Sequence, residues 1–189
     1  MTKKLTAEER KKAEKREKLA QELLKIDYNF NYESQQSDKP IQSVKTPSQK
    51  LITYISIIEN SVFWSSRENY LELLQSFLSK KIDAKTFTFE FCDLRGQDMH
   101  NASKLCEKIE NDIVPIPDFY YTHKAACFIS IIDELFFDID RYEPNIENSD
   151  NIDDYDLNDV AYSENELRWV TQEKFVPRLQ QSCDLNFEI

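Results

Sequence analysis

The chain has 189 residues, a formal net charge of -11 and a single glycine, Gly96. That length holds one core with an appended segment, but not two full domains. So little glycine excludes hairpin-rich all-β folds, Rossmann turns and P-loops, and the negative charge points away from nucleic acid and toward a basic partner or simple solubility.

The first 27 residues read as a charged helical arm. Thr6 and Glu9 form a capping-box pattern ahead of AEERKKAEKREKLAQELL, a run of strong helix formers. Its apolar residues, Leu19, Leu23 and Leu24, come only near its end, so the helix is expected to project rather than pack. Residues 3–27 carry nine basic and six acidic side chains, which makes the arm positive and the remainder strongly negative. Residues 28–48 are polar, proline-punctuated and without period, the pattern of a flexible linker. The structured core is expected over 49–182, with 183–189 as a tail.

Within that core the apolar periodicity is helical. Leu51, Tyr54, Ile55, Ile58 and Val62 share one face, and Tyr70, Leu73, Leu74, Phe77 and Leu78 make a full stripe closed by Lys80 and Lys81. Asp83 can cap the next segment. There Phe87, Phe91 and Leu94 suit a helix while Phe87, Phe89 and Phe91 alternate as a strand would, so local pattern leaves the two equal. A short helix is expected over 100–113 with Leu105 and Ile109 inward, ended by Pro115 and Pro117. Ala125, Phe128, Ile132, Leu135, Phe136 and Ile139 then define the most apolar helix. Ser163 and Glu166 form a second capping box before Leu167, Val170 and Phe175, and Pro177 is expected to break or kink that helix. The economical fold is all-α, an antiparallel helical bundle with a four-helix core.

Chemistry is sparse. No run approaches the roughly 18 apolar residues of a membrane span, and the charged N-terminus is unlike a secretory signal. Cys92, Cys106, Cys127 and Cys183 are scattered without a C-x-x-C pair, so reduced, half-buried thiols are expected. His100 and His123 are isolated, too few for a zinc site or a triad. DNIDDYDLND lacks the central glycine and closing glutamate of a calcium loop. No catalytic residue, metal or cofactor is expected. The outstanding feature is charge: thirteen carboxylates from Asp133 to Glu166 face one base, Arg141. Such a density either solvates a loop or draws a basic protein partner.

Three segments carry a resemblance. LLQSFLSKKIDAKTFTFEFC (Leu73 to Cys92), ELFFDIDRYEPN (Glu134 to Asn145) and ENELRWVTQEKF occur in an order that resembles the colicin D immunity protein family. The likeness covers residues 49–182 in patches. It implies a four-helix bundle, with Phe87 to Phe91 helical, that occupies the basic active site of a tRNA-cleaving toxin domain. By position, Asp140 and Glu143 would imitate substrate phosphates, and Asp138 and Glu147 would lie beside them on the partner-binding stretch. The position after the proline, acidic in the family, is Asn145 here.

Two functions therefore compete. One is a toxin-neutralising immunity protein in the cytoplasm, binding a nuclease domain but neither nucleic acid nor membrane directly. The other is a helical interaction or assembly subunit of a larger complex, in a plastid stroma if the gene is organellar, as the Asn-, Lys- and Ile-rich composition suggests for an AT-rich genome. An enzyme is the least supported class.

Overall fold

The computed structural model describes residues 5–27, 47–111, 123–144 and 161–185. The fold is all-α: α1 (Ala7–Asp27), α2 (Pro47–Ser65), α3 (Arg67–Leu78), α4 (Ala84–Glu110), α5 (His123–Ile139), α6 (Glu164–Val170) and α7 (Val176–Cys183). Among the described residues the β-like pairing is one isolated parallel bridge, Tyr142 with Tyr162.

Local sequence sets most helix ends. At α1 the Thr6 amide donates to Glu9 Oε2 at 2.6 Å, and the Glu9 amide donates to Thr6 Oγ1 at 3.2 Å. Ser163 and Glu166 close the same reciprocal box at α6, and Asp83 Oδ1 accepts from the Thr86 amide at 2.8 Å to cap α4. Each box satisfies amides that a helix start otherwise leaves without partners. At the end of α3, the Lys81 amide donates to Ser76 O at 2.9 Å and the Lys80 amide to Phe77 O at 3.0 Å, a Schellman closure. Such a closure places a residue in the left-handed region, normally glycine's. Lys80 takes it at φ 61°, and Asp184 does the same after α7 at φ 56°.

The expected break near residue 100 is absent: α4 runs unbroken for 27 residues. Phe87 and Phe91 turn into the core while Phe89 is 74% exposed, so the 87–89–91 alternation belongs to a helix with one outward aromatic. Pro177 does not end the last helix either. A π-helical turn, Thr171–Phe175, joins α6 to α7, and its wider winding seats the proline at the first turn of α7. Thr171 is fully buried in that turn, and its hydroxyl has no hydrogen-bond partner among the described residues.

The chain divides into two compact units, one from Met1–Val62 with His100–Thr122, the other from Phe63–Met99 with His123–Ile189. In the second unit, α3, the first part of α4, α5 and the α6–α7 run surround one core. Its centre is Tyr70, Leu74, Phe77, Phe87, Phe91, Phe128, Leu135, Leu167 and Phe175, and the Phe77 and Phe87 rings stack 4.1 Å apart. Leu185, read as tail, is also buried there.

In the first unit, Leu19 packs with Ile57, Ile58, Ala102 and Ile109. Arg16 pairs with the buried Glu110 carboxylate, and Lys15 donates to the Glu110 carbonyl. The arm expected to project is thus held at its middle by one apolar contact and by two cations at the negative end of α4. Of the linker expected at 28–48, Pro47 and Ser48 already begin α2, while 28–46, the side chains of Leu23, Leu24, Leu51 and Tyr54, and the prolines at 115 and 117 lie outside the described residues.

Candidate functional site

The acidic residues singled out by sequence fall where α5 ends. The turn is tightly wound: the Asp140 amide donates to Phe136 O at 3.0 Å, Arg141 to Asp138 O at 3.3 Å and Tyr142 to Ile139 O at 3.0 Å. It is then pinned to the chain entering α6. Glu143 N donates to Tyr162 O at 3.0 Å and Tyr162 N to Arg141 O at 2.7 Å. The Arg141 guanidinium lies 4.5 Å above the Tyr162 ring centre and donates to its hydroxyl at 3.0 Å. Backbone bridge and cation–π contact together tie the end of α5 to the chain entering α6.

The four expected carboxylates separate. Asp140 and Glu143 are exposed on either side of this clamp, and Asp140 has no ion pair among the described residues. Asp138 faces the other way. It is 6% exposed, accepts from Lys174 Nζ at 2.8 Å and lies 3.7 Å from Arg141 Nη1. Asp138 and Asp140 are two residues apart, which on a helix puts them on different faces. Asp138 is accordingly an internal clamp between α5 and the π turn, not part of the exposed acidic rim. Glu147 and the rest of 145–160 lie outside the described residues.

Other reactive groups are quiet. All four cysteines are free. Burial pushes the Cys106 thiol up to about 11 and Cys183 up to about 12, and it also raises Cys127 and Cys92, with the Asp140 charge adding to the last. Thiols shifted that way are protonated at neutral pH and poor nucleophiles. His100 is exposed on α4, and His123 opens α5. No group of His, Cys, Asp or Glu among the described residues could hold a metal ion, and no helix among them is long and apolar enough to cross a membrane.

Two polar clusters were not visible in the sequence. Asp98, 3% exposed, accepts from Ser66 Oγ at 2.8 Å and Tyr70 Oη at 3.1 Å. Burial lifts its carboxyl above the ordinary range against the pull of those two hydrogen bonds. A shallow cleft of ≈ 220 Å³ is lined by Lys80, Ile82, Asp83, Glu164 and Arg168. Its arginine is committed to the fold: Arg168 bonds the carbonyls of Phe77 and Ile82, pairs with Glu164 and lies over the Phe77 ring.

Phe89, Phe137 and Trp169 are 74%, 67% and 66% exposed, large aromatic surfaces that helical phase could have flagged. Compared with protein-family models, curated proteins and solved structures, the chain matches none. The likeness to colicin D immunity proteins therefore rests on the three sequence patches alone.

Proposed function

We propose that this chain is a non-catalytic inhibitor of the immunity-protein kind, whose acidic rim enters the basic active site of a nuclease toxin domain. The observation that carries the reading is the clamped turn after α5. Asp140 and Glu143 project from a backbone fixed by the Tyr142–Tyr162 bridge and by Arg141 on Tyr162. Carboxylates held in place before binding lose less freedom on docking than carboxylates on a loose loop. A nuclease site must attract phosphates, so a fixed carboxylate pair there gains the attraction that substrate would have gained.

A test is titration of tRNA cleavage. A colicin D-type nuclease domain mixed with increasing amounts of the full chain should lose activity in proportion, ending at an equimolar complex that weakens as salt is raised. Undiminished cleavage with the chain in excess would count against the proposal. The exposed Phe89, Phe137 and Trp169 favour a second reading, a helical assembly subunit that docks a different protein. A toxin gene beside this one would favour the first.

A further inference from the structure

Two helices of the second unit present outward stripes beside the acidic rim. On α4, Phe89, Asp93 and Gly96 recur at i, i+4 and i+7, all exposed. Phe137 on α5 and Asp140 in the turn just after it follow at i and i+3, also exposed. Arg95 laces the helices together: it donates to Asp133 Oδ1 at 2.9 Å and lies 4.4 Å over the Phe136 ring. These contacts set α5 beside this part of α4, so the two stripes belong to neighbouring helices.

Gly96 has no internal reason to be glycine. Its φ is not positive, and nothing stands within 4 Å of the place a Cβ would occupy. A glycine in mid-helix weakens the helix relative to alanine. The single glycine of the chain thus leaves bare backbone in the middle of a face flanked by exposed aromatics. That combination suits the close approach of another backbone.

Resting on the reading of a basic protein partner, we propose that this α4–α5 face is its docking surface and that the docked element is an amphipathic helix carrying apolar and basic side chains. Phe89 and Phe137 are the anchors, Gly96 gives the approach, and Asp93 and Asp140 meet the partner's cations. Charge complementarity selects a basic helix: Arg95 is already answered by Asp133, and Lys85, a turn before Phe89, sits beside Asp83. Helices dock in this way by laying an apolar face between two others, with aromatic anchors dominating the binding energy.

The probe is a short synthetic amphipathic peptide of leucine and lysine, titrated into the full chain and followed by backbone amide shifts. Shifts should concentrate at Phe89, Gly96 and Phe137, and Phe137→Ser should weaken binding at least about tenfold. Gly96→Ala should raise the melting temperature and yet weaken the peptide, a pair of effects that a purely structural glycine would not give. Shifts elsewhere, unchanged affinity in both variants, or equal binding of a lysine-only peptide would overturn the proposal. The same variants against the nuclease domain keep the two ideas apart. If Asp140→Asn with Glu143→Gln abolishes inhibition while Phe89→Ser and Phe137→Ser do not, the docking face falls and the inhibitor reading stands. Peptide binding at the face without any nuclease binding does the opposite: the docking face stands and the inhibitor reading falls.

Discussion

Replacing Asp138 by asparagine should damage the fold and leave partner recognition alone, although its neighbour Asp140 should do the reverse. The Asp138 side chain is 9% exposed and sits between Lys174 at 2.8 Å and Arg141 at 3.7 Å, themselves 45% and 33% exposed. Stripping one partner from a fully buried pair costs about 3–5 kcal/mol. Here both cations already reach water and can resolvate, so the loss falls to about 1–2 kcal/mol. For a chain of this size that is a drop in melting temperature of about 2–8 °C. Differential scanning calorimetry of Asp138→Asn beside Asp140→Asn reads the contrast, with Asp140→Asn staying within about 0.5 kcal/mol of the parent. A cycle with Lys174→Met isolates the pair. A neutral Asp138→Asn, or an Asp140→Asn equally costly to folding, would refute the assignment of Asp138 as the internal clamp.

Leu19→Ala should destabilise the first unit by about 2 kcal/mol, the low end for a buried leucine, because its cluster is small; a hydrogen-exchange profile unchanged in α2 and in the end of α4 would contradict the packing of α1. Asp98→Asn tests the buried carboxyl. Its raised folded value means that ionised Asp98 subtracts stability above that value and that the fold regains it as pH falls toward the ordinary 3.8. The asparagine variant should therefore be the more stable at neutral pH and lose this rise on acidification, read by urea unfolding at several pH values; an equal pH slope in both proteins would contradict it.

What the sequence made legible is what depends on near neighbours. Thr6 with Glu9, Ser163 with Glu166, and Asp83 ahead of Thr86 are caps whose two halves lie three residues apart. The stripe from Tyr70 to Leu78 is buried at each of its five positions because a periodic apolar face leaves few other options. The continuity of α4 was hidden because two of its inward residues are Asp98, which is polar, and Ala102, which is too small to mark an apolar stripe. Asp98 becomes tolerable inside once Ser66 and Tyr70 supply hydrogen bonds from elements 32 and 28 residues away. Asp138 is the same case in the candidate site: its burial depends on Lys174, 36 residues later. The docking of α1 depends on Glu110, which no local pattern joins to Arg16. Asp140 and Glu143 came from the family likeness, whereas the outward Phe89 and Phe137 emerged once the helical phases were fixed.

The proposed function requires that the exposed carboxylates of Asp140 and Glu143, just past the end of α5, bind a basic nuclease site. Isothermal titration of a colicin D-type nuclease domain with the parent chain and with Asp140→Asn/Glu143→Gln measures it most directly, since the double change keeps shape and removes charge. Affinity should fall at least about tenfold, as expected for desolvated charge pairs, while the melting temperature holds. Equal affinity for the two proteins, or a variant that no longer folds, would contradict it.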